Sequence, residues 1–152
     1  MEALHPVAIH LPIVLILLAP IVDALGLFTN STHLSRLAVG FYVAIVVTAL
    51  FATATGQAAF DVAVEQGVTG ELLNTHADDA NLVPWLSIVV VVVRFVAPQK
   101  LGRAGRFVAL ALGLALWPFI YMVGDSGGDL VYQHGIGVRP AAERPTEGEP
   151  ER

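Results

Sequence analysis

A run of 22 residues, Val7 to Phe28, contains a single charged side chain, Asp23. A helix crosses the hydrocarbon core of a bilayer with about 20 apolar residues. Only helices and closed barrels satisfy their backbone hydrogen bonds in that medium. Three more apolar stretches follow, roughly Arg36 to Phe60, Leu82 to Ala97 and Phe107 to Gly124. The apolar part of the third is short, so its helix is expected to begin near Glu71, with Pro84 marking a bend. Apolar residues make up 55% of the chain and charged ones 14%, against about 25% charged in soluble domains. The expected fold is all-α: a four-transmembrane-helix bundle, formed by residues 1–138 as a single four-helix membrane domain. Asp125 to Val138 is Gly-rich and too short to span again. It is expected to be a short non-helical C-terminal segment packed at the extracytoplasmic face. Residues 139–152 hold Pro, Glu and Arg without apolar content and are expected to be a disordered polar tail.

Prolines and small residues refine this reading. Pro12 falls in the first turns of its span and is tolerated, whereas Pro20 should kink the helix or be compensated by a neighbour. Ala49, Ala52, Thr53, Gly56 and Ala59 recur at three- and four-residue spacing. That pattern lets a second helix approach closely, or leaves space for a flat cofactor. No Lys or Arg precedes the first apolar run, so the first span is expected to be retained rather than cleaved.

Charge gives the expected orientation. Arg36, Arg94, Lys100, Arg103 and Arg106 flank the two short turns, while twelve of the thirteen acids lie towards the other end, Asp23 excepted. A basic excess marks the cytoplasmic side. Both termini are therefore expected to be extracytoplasmic, in a multi-pass protein of the bacterial inner membrane. Arg94, near the end of its span, is expected to snorkel outward. Asp23 has two readings: a carboxylate in a proton path, or a structural one, in which it pairs with Arg36 or Arg94 or reaches the nearby interface.

The same topology brings histidines together. His5, His10, His76 and His134 all fall at the terminal end, each within a few turns of a membrane boundary; His33 lies at the other. His5 and His10 are five residues apart, about 140° around a helix, and so point to different partners. The chain has no cysteine, which excludes thiolate metal sites, iron–sulfur clusters and covalently attached haem. It leaves imidazole chemistry open. A bis-histidine b-type haem needs imidazoles from different helices, such as His10 with His76 or His134, with His5 completing a second site. One or two haems fit this count. Gly56, Gly124, Gly127 and Gly128 would provide space for the macrocycle, and Tyr132 and Arg139 contacts for its propionates. A non-haem site for Fe, Cu, Zn or Mn would join the same imidazoles to Asp78, Asp79, Asp125 or Asp129. A cofactor-free scaffold subunit of a larger membrane complex is the third reading. No close-spaced metal signature, nucleophile elbow, phosphate loop or nucleic-acid stripe is present.

The N-terminal His5-Pro6-x-x-x-His10-x-Pro12, Asp23, Gly56, His76 and the C-terminal Gly127-Gly128-x-Leu130-Val131-Tyr132-x-His134-Gly135-x-Gly137-Val138 form a set. The set resembles a widespread bacterial family of small four-helix membrane proteins, catalogued mainly as a domain of unknown function. Some members are joined to c-type cytochrome modules, which implies redox work. The resulting expectation is a membrane-embedded electron-transfer protein that binds haem b and exchanges electrons with a quinone or a periplasmic cytochrome, alone or within a larger respiratory complex. Such a protein is an electron carrier or complex subunit more than a stand-alone enzyme.

Overall fold

The computed structural model describes residues 4–137. Five helices follow in order: α1 (His5–Ala8), α2 (His10–Phe28), α3 (Thr32–Glu65), α4 (Glu71–Leu101) and α5 (Arg103–Tyr132). α1 and α2 are nearly one helix, joined at Ile9, which keeps helical backbone angles. Pro12 cannot donate to the carbonyl four residues back, and the joint falls in that unbonded turn. Among the described residues four helices are long and apolar enough to cross a membrane. They form a closed ring, α2 on α3, α3 on α4, α4 on α5 and α5 on α2. Large apolar side chains such as Leu18, Val47, Leu50, Val89 and Val92 point outward, as a lipid-facing surface requires.

Inside, α3 buries Ala38, Tyr42, Ile45, Ala49, Ala52 and Thr55, spaced by three or four residues along one face. The main core joins Tyr42, Ile45 and Ala49 to Ile16 and Ala19 of α2, Val83 and Val90 of α4, and Leu116 and Val123 of α5. Pro20 is buried in α2, and its missing N–H leaves the Ile16 carbonyl without its helical donor. The indole Nε1 of Trp117 on α5 donates to that carbonyl at 3.1 Å. The compensation that Pro20 calls for therefore comes from the last helix.

Two expectations change. Asp125 to Tyr132 is the last part of α5, not a loop, and only Gln133 to Gly137 is non-helical among the described residues beyond it. The glycines cost about 1 kcal/mol each in a helix. Burial offsets this: Leu130 packs with Ala63 and Leu73 in a small second core formed by α3, α4 and α5. Arg94 does not snorkel. It is buried and hydrogen-bonded within the bundle. α3, α4 and α5 have 34, 31 and 30 residues, so at about 1.5 Å per residue each exceeds a hydrocarbon core of about 30 Å. The second core lies in this overhang at the terminal end. The polar tail and Val138 lie outside the described residues.

The two hairpins are versions of one another. α1, α2 and α3 correspond to α4 and α5 at a constant offset of 71 residues, without gaps. Asp23 meets Arg94 at that separation, and Tyr42 meets Gly113 at the same one. Burial follows the offset: Ile16 and Ser87, Ala19 and Val90, Ala38 and Ala109, Ile45 and Leu116, and Ala52 and Val123 are pairs with both members buried. A pseudo-twofold axis thus runs along the bundle, and Asp23 and Tyr42 face their counterparts Arg94 and Gly113 across it.

Candidate functional site

The axis passes three polar levels. Nearest the terminal end is a pair of imidazoles. His5 sits on the short α1, which the joint at Ile9 sets against α3. Its Nδ1 lies 3.2 Å from the Ala52 carbonyl oxygen and 3.2 Å from Thr55 Oγ1. Its ring lies against Gly56, where a Cβ would come within 2.9 Å of Cε1. His76, in the second turn of α4, repeats this arrangement on α5. Its Nδ1 lies 2.9 Å from Ser126 Oγ, the Val123 carbonyl is in reach, and a Cβ on Gly127 would come within 2.8 Å of its Cε1. Both hydroxyls are 50 residues beyond their histidine.

These contacts bear on the tautomers. Thr55 gives its hydroxyl proton to the Ala52 carbonyl at 2.8 Å, and Ser126 gives its own to Val123 at 3.0 Å. Carbonyls only accept, so Ala52 draws the His5 proton to Nδ1. A Ser126 hydroxyl turned towards Val123 accepts from His76 Nδ1 in the same way. In that tautomer each Nε2 keeps its lone pair, the form in which imidazole binds a metal. The two rings are close enough to interact electrostatically.

The other expected site residues are placed differently. His10 and His134 are both exposed and make no side-chain hydrogen bond among the described residues. Gly56 and Gly127 are in the site, but the imidazoles themselves occupy the space over them. No atom from elsewhere in the fold lies within 4 Å of a Cβ at Gly124 or Gly128, and Tyr132 is 90% exposed. Asp78 and Asp125 are exposed, and no three His, Asp or Glu side chains cluster as a metal cage among the described residues. Neither Thr55 nor Ser126 has a place in the sequence-based site. The available signal is a hydroxyl residue directly before a glycine, Thr55-Gly56 and Ser126-Gly127, each near the end of a long helix.

The second level is Tyr42 against Gly113, with the phenol oxygen buried and without a hydrogen-bond partner among the described residues. The third is ionic. Arg94 Nε and Nη2 donate to the two oxygens of Asp23 at 2.9 and 3.0 Å, and Nη2 also donates to Ser35 Oγ at 2.7 Å. Arg106, the counterpart of Ser35, brings Nη2 to 3.9 Å from Asp23. One residue from each of α2, α3, α4 and α5 meets here. The pairing of Asp23 with Arg94 is the second of the two readings that Asp23 allowed.

A family model described as a predicted membrane protein of unknown function, DUF2231, matches residues 1–140. This chain belongs to the DUF2231 family. Comparison with curated proteins and with solved structures returns no match. Membership of DUF2231 agrees with four apolar helices in a bilayer.

Proposed function

We propose that this DUF2231 protein is an electron carrier that holds one b-type haem through His5 and His76. The observation that carries the reading is the matched pair of imidazoles, presented by different halves of the bundle, each contacting a helix hydroxyl through Nδ1 and each seated against a glycine. Two neutral imidazoles are the donor set that a macrocycle needs, because it brings four nitrogens of its own. A bare non-haem ion usually takes three or more protein ligands. When bound, haem supplies a one-electron couple whose potential the axial ligands and surrounding polarity tune. The protein's own part is to hold each ring. The Ala52 carbonyl and Thr55 orient His5, Ser126 orients His76, and the apolar core behind them excludes water. The basic excess at the short turns supports an extracytoplasmic position for the imidazole pair, where a periplasmic cytochrome or a membrane quinone would exchange electrons with it.

A second reading, one ion of Cu, Fe or Zn between the rings, draws on a separate observation. Gly56 and Gly127 seat the imidazoles so closely that neither glycine leaves space for a flat ring beside it. Absorption spectra of the detergent-purified protein separate the two. Haem gives a Soret band that shifts on dithionite reduction, with about one iron per chain by elemental analysis. A bare ion gives stoichiometric metal without that band. A sample with neither, which also takes up no added haemin or metal, sinks both readings.

A further inference from the structure

At the short-turn end, opposite the imidazoles, Asn30, Ser31, Thr32, Ser35, Arg36 and Arg106 line a cavity of about 220 Å³. We infer that this cavity is an anion site that takes a phosphate group, from a lipid headgroup or from free phosphate. The inference stands apart from the haem reading.

Charge balance is the first argument. Asp23 is the only carboxylate near this end among the described residues, and Arg94 already binds both of its oxygens. Arg106 lies 3.9 Å from Asp23, beyond hydrogen-bond distance. Its Nε and Nη2 are buried and have no hydrogen-bond partner among the described residues. Buried donors of a charged group are costly to leave unmade. Arg36 adds a second guanidinium to the wall with no acidic partner among the described residues. The local sum is therefore positive: four guanidinium groups, of Arg36, Arg94, Arg106 and Arg103 (which donates to Asn30 at 3.3 Å), around one carboxylate.

The shape and the remaining donors agree. Ser31, Thr32 and Ser35 bring hydroxyls to the same wall, and the start of α3 adds the partial positive charge of a helix N-terminus. Planar guanidinium groups with adjacent hydroxyls match the several acceptor oxygens of a phosphate. The pseudo-twofold axis sharpens the point. Arg106 occupies the position that Ser35 holds in the other hairpin, so at this level a guanidinium on α5 stands where its counterpart on α3 is a hydroxyl.

The test uses the full chain in detergent and in nanodiscs of equal phosphatidylglycerol and phosphatidylcholine. Native mass spectrometry counts retained lipids, and calorimetry follows inorganic phosphate against chloride. Arg36→Gln is the deciding variant, because Arg36 is exposed and lies outside the Asp23 cluster; Arg106→Gln accompanies it. The wild type is expected to retain phosphatidylglycerol or bind phosphate, with at least a fivefold loss in Arg36→Gln. Retained phosphatidylglycerol without phosphate binding assigns a lipid headgroup; phosphate binding without lipid preference assigns a free anion. Binding of neither probe above its control overturns the site. So does wild-type binding by Arg36→Gln, whether or not Arg106→Gln folds.

Discussion

Asp23 and Arg94, 71 residues apart, form a two-pronged ion pair across the bundle axis at 2.9 and 3.0 Å, with side chains 2% and 7% exposed. Removing one partner of a buried pair leaves the other uncompensated and costs about 3–5 kcal/mol. Asp23→Asn is expected to lower stability by an amount in that range, read by denaturant titration in detergent with circular dichroism. The axis adds a sharper expectation. Asp23→Arg combined with Arg94→Asp swaps the pair but sets the relocated guanidinium beside Arg106. That double variant should remain unstable. Adding Ser35→Arg and Arg106→Ser rebuilds the cluster in mirror order and should recover most of the loss.

Trp117 donates to the Ile16 carbonyl that Pro20 leaves free. Trp117→Phe removes the donor and is expected to cost about 1–2 kcal/mol in the same titration. In a Pro20→Ala background the helix regains its own N–H at that carbonyl. The Trp117→Phe penalty should then shrink, which a double-mutant cycle measures as coupling.

Tyr42 carries a buried hydroxyl with no partner among the described residues, pressed against Gly113. Deleting an unsatisfied group is nearly neutral or stabilising. Tyr42→Phe should change stability by less than about 1 kcal/mol. Gly113→Ala would meet the phenol oxygen and should destabilise, and Tyr42→Phe should relieve part of that cost.

Around the imidazoles, Ser126→Ala and Thr55→Val remove the groups that hold His76 and His5. Losing such support typically costs about 10–100-fold in metal affinity. A loss of that size in haemin or metal binding is expected for Ser126→Ala. For Thr55→Val it should be smaller, because the Ala52 carbonyl still holds His5. His5→Ala and His76→Ala should abolish binding, while His10→Ala and His134→Ala leave it near wild type. Equal loss in all four histidine variants would count against the His5–His76 assignment.

Some of this can be read in the residues alone. The four apolar runs set the helices, and the helix of the third span begins at Glu71 as its composition suggests. Asp23 has few cationic partners within reach along the sequence, and Arg94 is one of them. Other parts depend on packing. Whether His5 or His10 turns inward rests on the joint at Ile9 and on how α1 meets α3. Gly127 and Gly128 read as helix breakers, yet α4 covers that stretch of α5 and keeps it helical. The repeat is hidden because it is carried by burial more than by identity. At the 71-residue offset His5 matches His76 and Gly56 matches Gly127, but other identities, such as Leu11 with Leu82 and Ala38 with Ala109, are residues common in any apolar helix.

Joining both hairpins in one polypeptide has a consequence at the axis itself. In a dimer of identical hairpins, every residue on the twofold would confront its own copy, carboxylate against carboxylate or phenol against phenol. Here the halves can diverge, so that an acid faces a base and a tyrosine faces a glycine, while the histidines have stayed alike. Covalent linkage thus lets attraction and steric fit develop between opposed positions without giving up the matched imidazoles.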